Sequence, residues 1–482
     1  MTDKLSVIFD GYKDVIETID LGDPFVVGLA KPSEACNLIG NEIKLGPMVG
    51  KGNFGSVYII TVPGKGKKQY VVKKGDVDLD VKYMSLSYIN QLPKETSELI
   101  KAFNPSLQDW DADSSLQEGD FKIYWPDFAN RCLTSTEQKF LSIPGDNRKT
   151  LTVPKGSYLC ETNTFSEFAI GAIIGEAYRS GECINFFNVY SLFTCRENGV
   201  LDMATQYIFM DKIDGEFKDG ANCIKVDAYI GNVPRHLIHA VERGIFIQLM
   251  FAIAFYQDRW KISHNDLHTG NVFVEYVTDE TEFNGEKLIE ADWYHYHITS
   301  QGKGTKARRE KATGNWPFLG VDSESEKRDA ACDVYFPAIP VITKIGDYGL
   351  SVKYTTPIVG DRNVFESGYN QYDGGGPWIP NQFIPQYDSS YTGAAYTSAI
   401  DSISTVNKDH LLQDMVKFLL GGRRPYQWFN KTEGILKNGN SRPVLEKLHT
   451  LPTALDLLRS DVVQKQFGEK PNSGKIVTLG VL

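Results

Sequence analysis

A glycine-rich segment near the N-terminus places the strongest constraint on the fold of this chain. Residues 50–57 fit the pattern G-x-G-x-x-G-x-V. In a dinucleotide-binding unit the third glycine opens a helix, whereas here Gly55 is followed by the strand-like run S-V-Y-I-I. The P-loop pattern G-x-x-x-x-G-K-[ST] does not occur around these glycines. We therefore predict a loop between two strands, whose backbone N–H groups can approach phosphates without hindrance from a Cβ.

The strand that follows this loop carries two adjacent lysines. Three short strands are predicted, at residues 43–49, 56–62 and 69–73. A lysine that ends an apolar strand after a glycine hairpin is placed to meet the phosphates of a nucleotide. We favour Lys73 over Lys74, because Val71 then lies on the same face and would line an adenine pocket. Taken alone, such a lysine is better explained as a surface residue at a strand end.

The segment at residues 264–271, H-N-D-L-H-T-G-N, follows a long apolar helix pattern. It places Asp266 five residues before Asn271. Phosphoryl transfer uses such a pair, because the carboxylate can accept the proton of the attacking hydroxyl and the amide oxygen can hold Mg²⁺. His264 and His268 are four residues apart, but the non-helical pattern and the lack of a further ligand nearby in the sequence disfavour zinc.

Hydrophobic periodicity predicts the remaining elements. Helices are expected at residues 165–179 and 234–259, and strands at 186–195, 206–213, 272–276 and 342–345. The core face of the long helix is expected to consist of Leu237, Val241, Ile245, Leu249, Ala252 and Phe255. The polar region at 75–161 is interpreted as an insertion. No element is predicted in the Gly/Tyr/Ser-rich stretch 360–407, and helical patterning returns from His410.

Composition limits the partners of this chain. Lys and Arg total 51 against 61 Asp and Glu, which argues against generic nucleic-acid binding. The basic run at residues 303–311 has no interleaved aromatic residues, so a solvated loop is favoured there. The longest apolar stretch, 244–256, is too short to cross a bilayer, and the N-terminus does not resemble a signal peptide. The seven scattered cysteines are expected to be reduced thiols.

Asp347-Tyr348-Gly349 follows the short strand pattern at 342–345 and supplies another carboxylate. Alone, the triplet predicts only a turn. In order, however, the glycine hairpin, the strand lysine, a helix glutamate, D-x-x-x-x-N and D-Y-G reproduce the signature set of protein kinases. The chain thus resembles the protein-kinase superfamily from Gly46 to about Leu350. The H-N-D-L-H-x-G-N wording, the D-Y-G triplet and the large insertions resemble the divergent serine/threonine protein kinases of large DNA viruses.

The resemblance implies an α+β fold of the bilobal protein-kinase type, with a β-rich N-lobe that contains one main helix and a helical C-lobe. The expected domains are an N-terminal extension at 1–42, an N-lobe at 43–213 with the insertion at 75–161, and a C-lobe at 214–482 with an insertion at 277–340. It also implies ATP and Mg²⁺ as cofactors and a protein hydroxyl as acceptor. The expected location is the cytoplasm of a cell or a virion, with virion or host proteins bound through the insertions.

The resemblance also implies a role for each matching residue. Gly50, Gly52 and Gly55 would cover the phosphates, and the rest of the nucleotide site would be lined by Val57, Val71, Met210 as gatekeeper, and Ile213 at the end of the hinge. Lys73 would pair with Glu167, for which Glu161 and Glu176 are alternatives. Asp266 would be the catalytic base, Asn271 and Asp347 the Mg²⁺ ligands, and His268 a contact to the γ-phosphate.

Four features depart from the family pattern. Asn265 replaces the arginine that in many kinases receives a phosphorylated activation loop, and His268 replaces a lysine. No A-P-E triplet follows D-Y-G, and 76 positions separate Asn271 from Asp347. Two rival functions stay open. One is a small-molecule phosphotransferase of the aminoglycoside or choline type, which shares D-L-H-x-G-N. The other is an inactive kinase fold that serves as a virion or scaffold component.

Overall fold

The computed structural model describes residues 8–13, 38–39, 43–52, 55–62, 69–84, 121–126, 164–196, 203–213, 225–299, 331–353, 369–370, 378–379, 383–403, 409–423 and 448–482. The chain is a mixed α+β protein that divides into two compact units. The first unit comprises residues 1–173, 188–212 and 348–356, and the second comprises residues 174–187, 213–347 and 357–482.

The first unit is built on an antiparallel sheet of six strands. They are β1 (Lys44–Gly52), β2 (Gly55–Thr61), β3 (Tyr70–Met84), β4 (Phe121–Pro126), β5 (Val189–Arg196) and β6 (Met203–Asp211). Their order is β1-β2-β3-β6-β5, and β4 pairs with the far end of β3. Ile60, Val72 and Phe209 project from the centre of the sheet into a buried apolar cluster, whose burial stabilises the hairpin that carries the glycine motif.

Strand β3 continues to Met84, beyond the expected start of the insertion at Gly75. Its second half pairs with both β4 and β6. The sequence from Asp76 to Met84, D-V-D-L-D-V-K-Y-M, alternates polar and apolar residues with the period of a strand. Regular strand structure therefore extends into the region 75–161 that was interpreted as an insertion. The rest of 85–163, apart from β4, lies outside the described residues.

The described helices are α1 (Thr164–Arg179), α2 (Val226–Ile230), α3 (Ile238–Trp260), α4 (Pro385–Ile403), α5 (His410–Leu419), α6 (Ala454–Arg459) and α7 (Asp461–Phe467). Helix α1 agrees with the predicted helix to within one residue. Helix α3 begins four residues later than predicted, so Leu237 precedes it and is 44% exposed, not part of the core. The other five predicted core residues of this helix are buried.

Helix α3 is the one helix within the described residues that is long and apolar enough to cross a membrane. However, 83% of its most apolar window is buried inside the protein. Even the polar Gln248 is fully buried. Its Oε1 accepts a hydrogen bond from the backbone N–H of Thr343 at 2.8 Å. A helix that is buried on all sides has the burial expected of a core helix. For the described residues, this agrees with the prediction of no transmembrane segment.

The remaining described strands are β7 (Ile262–Ser263), β8 (Val272–Tyr276), β9 (Glu282–Phe283), β10 (Glu286–Lys287), β11 (Trp293–Ile298), β12 (Cys332–Pro337), β13 (Val341–Ile345), β14 (Val352–Lys353), β15 (Tyr369–Asn370), β16 (Trp378–Ile379) and β17 (Ile476–Val481). Strands β8 and β13 form an antiparallel pair. The predicted insertion at 277–340 contains β11 and β12, which join the C-terminal β17 in a sheet of order β12-β11-β17. The basic run at 303–311 lies outside the described residues.

Helix α4 lies within the Gly/Tyr/Ser-rich stretch 360–407, for which no element was predicted. The helix escaped prediction because serine, threonine, glycine and alanine occupy many of its buried positions, which leaves little hydrophobic periodicity. Gly393 illustrates the need for small residues, since an added Cβ would lie 3.3 Å from Leu419 of helix α5. Close packing between two helices thus selects residues that resemble a loop in composition.

Candidate functional site

The first unit brings Lys73 together with Glu167. Lys73 lies on β3 opposite Val57 of β2, and Glu167 lies in the first turn of α1. Lys73 Nζ is 2.5 Å from Glu167 Oε2, and both side chains are largely buried. This is the partner expected from the sequence. Of the alternatives, Glu176 pairs with Arg179 at 2.9 Å, and Glu161 lies outside the described residues.

The glycine hairpin needs glycine most clearly at its third position. Gly52 and Gly55 face each other where β1 and β2 meet. Gly55 has a φ of +142°, and a Cβ there would lie 2.3 Å from the backbone oxygen of Lys74. A side chain at this position would therefore separate β2 from β3 at the point where Lys73 is held. A Cβ at Gly50 would make only ordinary contacts, so packing alone does not require glycine there.

Two further residues of the predicted nucleotide site, Val71 and Met210, lie on β3 and β6. Val71 pairs with Met210 across these strands, and Val71 is buried whereas Met210 is half-buried. The next residue, Asp211, accepts hydrogen bonds from Asn188 Nδ2 at 2.6 Å and Tyr190 Oη at 2.8 Å. The expected hinge therefore begins with Asp211, whose carboxylate binds two residues of the same unit. Ile213, half-buried, belongs to the second unit.

In the second unit, the turn at residues 264–271 places Asp266 and Asn271 in contact. Asn271 Nδ2 donates to the backbone oxygen of Asp266 at 2.9 Å and lies 3.5 Å from its Oδ2. The backbone N–H of Gly346 donates to the backbone oxygen of Asn271 at 3.2 Å. His264 Nε2 binds the backbone oxygen of Gly346 at 3.0 Å. These bonds hold Asp347, the next residue after Gly346, beside the turn despite a gap of 76 positions in sequence.

The charge of Asp347 acts directly on Asp266. Burial raises the pKa of Asp266 to about 7, the negative charge of Asp347 adds to this rise, and the hydrogen bond from Asn271 opposes it. Asp347 itself has a positive φ of 60°, an uncommon conformation for a residue other than glycine. A carboxyl group that titrates near neutral pH is suited to accept a proton during a reaction.

The three oxygen-bearing side chains of this turn have the chemistry that a magnesium ion requires. Mg²⁺ prefers carboxylate and carbonyl oxygens. The amide nitrogen of Asn271 is used by Asp266, so its amide oxygen is the atom that remains to act as a ligand. The carboxylates of Asp266 and Asp347 would be brought together with less repulsion by a divalent cation. The donor set thus fits the metal that the sequence predicts.

His268 is part of the backbone structure of the turn. Its Nδ1 accepts a hydrogen bond from the backbone N–H of Gly270 at 3.0 Å, and its Nε2 lies 3.8 Å from Asp266 Oδ2. Burial and the neighbouring His264 lower the pKa of His268, so the imidazole is neutral at pH 7 in the free protein. A contact between His268 and a γ-phosphate stays a prediction.

A buried aspartate that no sequence pattern indicates supports the turn. Asp388 of helix α4 is fully buried and accepts the backbone N–H groups of His264 at 2.7 Å and Asn265 at 2.9 Å. Tyr256 Oη also donates to it at 3.0 Å. Asn265 has a φ of 66°, an unusual backbone conformation for a residue other than glycine. The hydrogen bonds to Asp388 hold the backbone in this conformation. Asp388 could not be found from the sequence, because the helix that carries it was not predicted.

Comparison with known proteins adds no relative: no protein-family model matches the chain, and no curated protein matches it.

Proposed function

We propose that this protein is an ATP- and Mg²⁺-dependent protein kinase that transfers the γ-phosphoryl group to a serine or threonine hydroxyl. The observation that carries the proposal is that Asp266 and Asn271 meet in one turn and that Asp347 is held beside it. Phosphoryl transfer depends on placing metal ligands and a base around the reacting groups, and these residues provide both. This proposal includes the relationship to protein kinases, the two-lobed arrangement of that fold and the role given to each site residue.

In the proposed mechanism Asp266 orients the acceptor hydroxyl and takes its proton. Asn271 and Asp347 would hold Mg²⁺, which when bound neutralises charge on the β- and γ-phosphates. Lys73, held by Glu167, would pair with the α- and β-phosphates. The raised pKa of Asp266 supports its role as base, because such a carboxylate binds a proton more readily than an ordinary aspartate.

The test is phosphate transfer from labelled ATP by the purified full-length chain, with a panel of proteins and a panel of small alcohols and amino sugars as acceptors. Transfer to protein that requires Mg²⁺ and is lost in Asp266→Asn would support the proposal. Transfer only to small alcohols would favour the rival phosphotransferase. If wild type and Asp266→Asn gave the same background with every acceptor, the chain would not be an active kinase.

A second comparison separates metal ligands from structural residues. Asn271→Ala and Asp347→Asn should each abolish Mg²⁺-dependent transfer with little loss of melting temperature. Both residues lie at the turn and not in the apolar core, so their removal leaves the packing of helix α3 intact. A melting temperature that falls in proportion to activity would make them structural residues instead.

A further inference from the structure

Strand β11 carries two histidines separated by a single residue. Alternation along the strand buries Tyr294 and Tyr296 and leaves His295 and His297 on the opposite face of the sheet. Asp333 of the neighbouring β12 lies directly opposite His297. One face of two adjacent strands therefore gathers two imidazoles and a carboxylate. The sequence analysis did not single out this H-x-H pattern.

The three side chains converge on one point. Asp333 Oδ1 lies 2.9 Å from His295 Nε2 and 2.7 Å from His297 Nδ1. All three potential ligand atoms lie within 4.8 Å of one another. In a tetrahedral zinc site with bonds of about 2.0–2.1 Å, neighbouring ligand atoms are roughly 3.3 Å apart. Asp333 Oδ1 is thus only about half an ångström closer to each imidazole nitrogen than it would be in such a site.

A neighbouring hydroxyl prepares His295 for metal binding. His295 Nδ1 lies 3.0 Å from Thr478 Oγ1 on β17, and the ring stacks on Tyr335 with centroids 4.5 Å apart. Coordination through Nε2 requires the proton to lie on Nδ1. The threonine hydroxyl can accept that proton in a hydrogen bond, and it can donate when Nδ1 is bare. Metal-bound histidines commonly have such a partner at the other ring nitrogen.

We propose that His295, His297 and Asp333 form a binding site for a divalent transition-metal ion, with Zn²⁺ as the expected occupant. Two imidazole nitrogens and one carboxylate oxygen suit Zn²⁺ better than Mg²⁺ or Ca²⁺, which prefer oxygen ligands. Water would complete the coordination. The ion ties β11 to β12, the two strands that residues 300–330 connect in sequence, and so acts as a clamp across that connection.

A second group in the described residues offers similar atoms but is already paired with a cation. His239, Glu242 and Asp409 lie close enough to share an ion. However, Arg243 Nε lies 3.0 Å from Asp409 Oδ2 and supplies a positive charge there. We therefore do not expect Zn²⁺ at His239, Glu242 and Asp409, and this group serves as the competing site in the experiment below.

The experiment is calorimetric titration of the full-length chain with Zn²⁺ after treatment with a chelator and removal of the chelator. We expect one ion per chain. His297→Gln and Asp333→Ala should each weaken binding at least tenfold. Thr478→Val should weaken it about tenfold, because His295 Nδ1 loses the hydroxyl that orients its ring. His236→Ala removes an exposed histidine outside the cluster and should bind as wild type does. Co²⁺ in place of Zn²⁺ should give the visible absorption of a tetrahedral site, lost in His297→Gln.

Three results would overturn the proposal. They are no Zn²⁺ binding by the folded wild type, equal binding by wild type and His297→Gln, and binding that is lost in His239→Ala but kept in the β11 and β12 variants. The His297 ring is 39% exposed, so its substitution tests the site even if Asp333→Ala fails to fold. Since none of these readouts is phosphate transfer, the result stands apart from the proposed kinase activity.

Discussion

The two adjacent lysines of β3 give the sharpest comparison at the scale of single residues. Successive residues of a strand point to opposite faces, and it is Lys73 that meets Glu167. We expect Lys73→Met to lower kcat at least a hundredfold, because the proposed phosphate contact and the partner of a buried glutamate are both lost. Lys74→Met, the matched control, should stay within about threefold of wild type. Steady-state measurement of kcat for both variants tests this prediction. A larger loss of kcat in Lys74→Met than in Lys73→Met would identify Lys74 as the proposed ATP-binding lysine.

Asp266 should couple activity and stability to pH in opposite directions. Its pKa is raised to about 7, so between about pH 4 and pH 7 the folded protein keeps a proton that the unfolded chain has released. The charged form is therefore unfavourable in the folded state, and stability falls as pH rises through this range. Asp266→Asn should be more stable than wild type by about 1–3 kcal/mol at pH 8. The difference should vanish at pH 4, and thermal unfolding at the two pH values measures it.

The same carboxyl should set the acid limb of the activity profile. As a base it must be deprotonated, so kcat/KM for ATP, which reports the free enzyme, should rise with an apparent pKa near 7. Bound Mg²⁺ should lower the pKa of the Asp266 carboxyl, which would move the acid limb of kcat to lower pH. Identical limbs for kcat and kcat/KM would argue against Asp266 as the titrating base.

His268 poses a separate question about the alkaline limb. If bound phosphates favour the protonated form of His268, kcat should fall as pH rises through the pKa of His268 in the complex. His268→Lys should then flatten that fall while keeping most of the activity. If it only accepts the Gly270 N–H, the lysine variant loses an acceptor and keeps the wild-type profile at lower stability. Measurement of kcat from pH 6 to 9 for both proteins separates these outcomes.

At the scale of elements, helix α4 supports the turn at residues 264–271 through one side chain. Asp388→Asn replaces one carboxylate oxygen by an NH2 group, which places amide hydrogens against one of the two backbone N–H groups that donate to the carboxylate. We expect a loss of about 2–4 kcal/mol in stability together with a lower kcat. Tyr256→Phe removes one side-chain donor to Asp388 and leaves both backbone donors, so it should cost about 1 kcal/mol with kcat nearly unchanged. Denaturant unfolding and kinetics on both variants test this, and equal effects would mean that Asp388 does not position the turn.

At the scale of the whole molecule, the proposed ATP-binding and metal-binding residues belong to different compact units. A ligand that binds only the folded state stabilises it, by about 2.7 kcal/mol at a concentration one hundred times its Kd. Mg²⁺ with ATP should therefore raise the melting temperature of wild type but not of Lys73→Met or Asp347→Asn. ADP without Mg²⁺ should separate the two roles. Its effect on the melting temperature should be lost in Lys73→Met and nearly unchanged in Asp347→Asn. An equal shift in all three proteins would place the nucleotide elsewhere.

The sequence by itself determined the elements whose signals are local. Glycines between strand-like runs and the apolar period of α1 depend on neighbours in sequence or on one face of one element. The pairing of Lys73 with Glu167, 94 positions apart, was expected only from the resemblance to protein kinases. The second half of β3 also had a local signal, the alternation from Asp76 to Met84, which was overlooked.

Only the tertiary structure decided the features that depend on distant partners. Helix α4 is helical because its small residues pack against other helices, and Asp388 matters because it meets amides more than 120 positions earlier in the chain. Asp333 meets two histidines across a strand pair whose connection gives no local signal. The raised pKa of Asp266 likewise requires both burial and Asp347, 81 positions away. Burial and long-range charge are properties of the folded chain, so composition and periodicity cannot supply them.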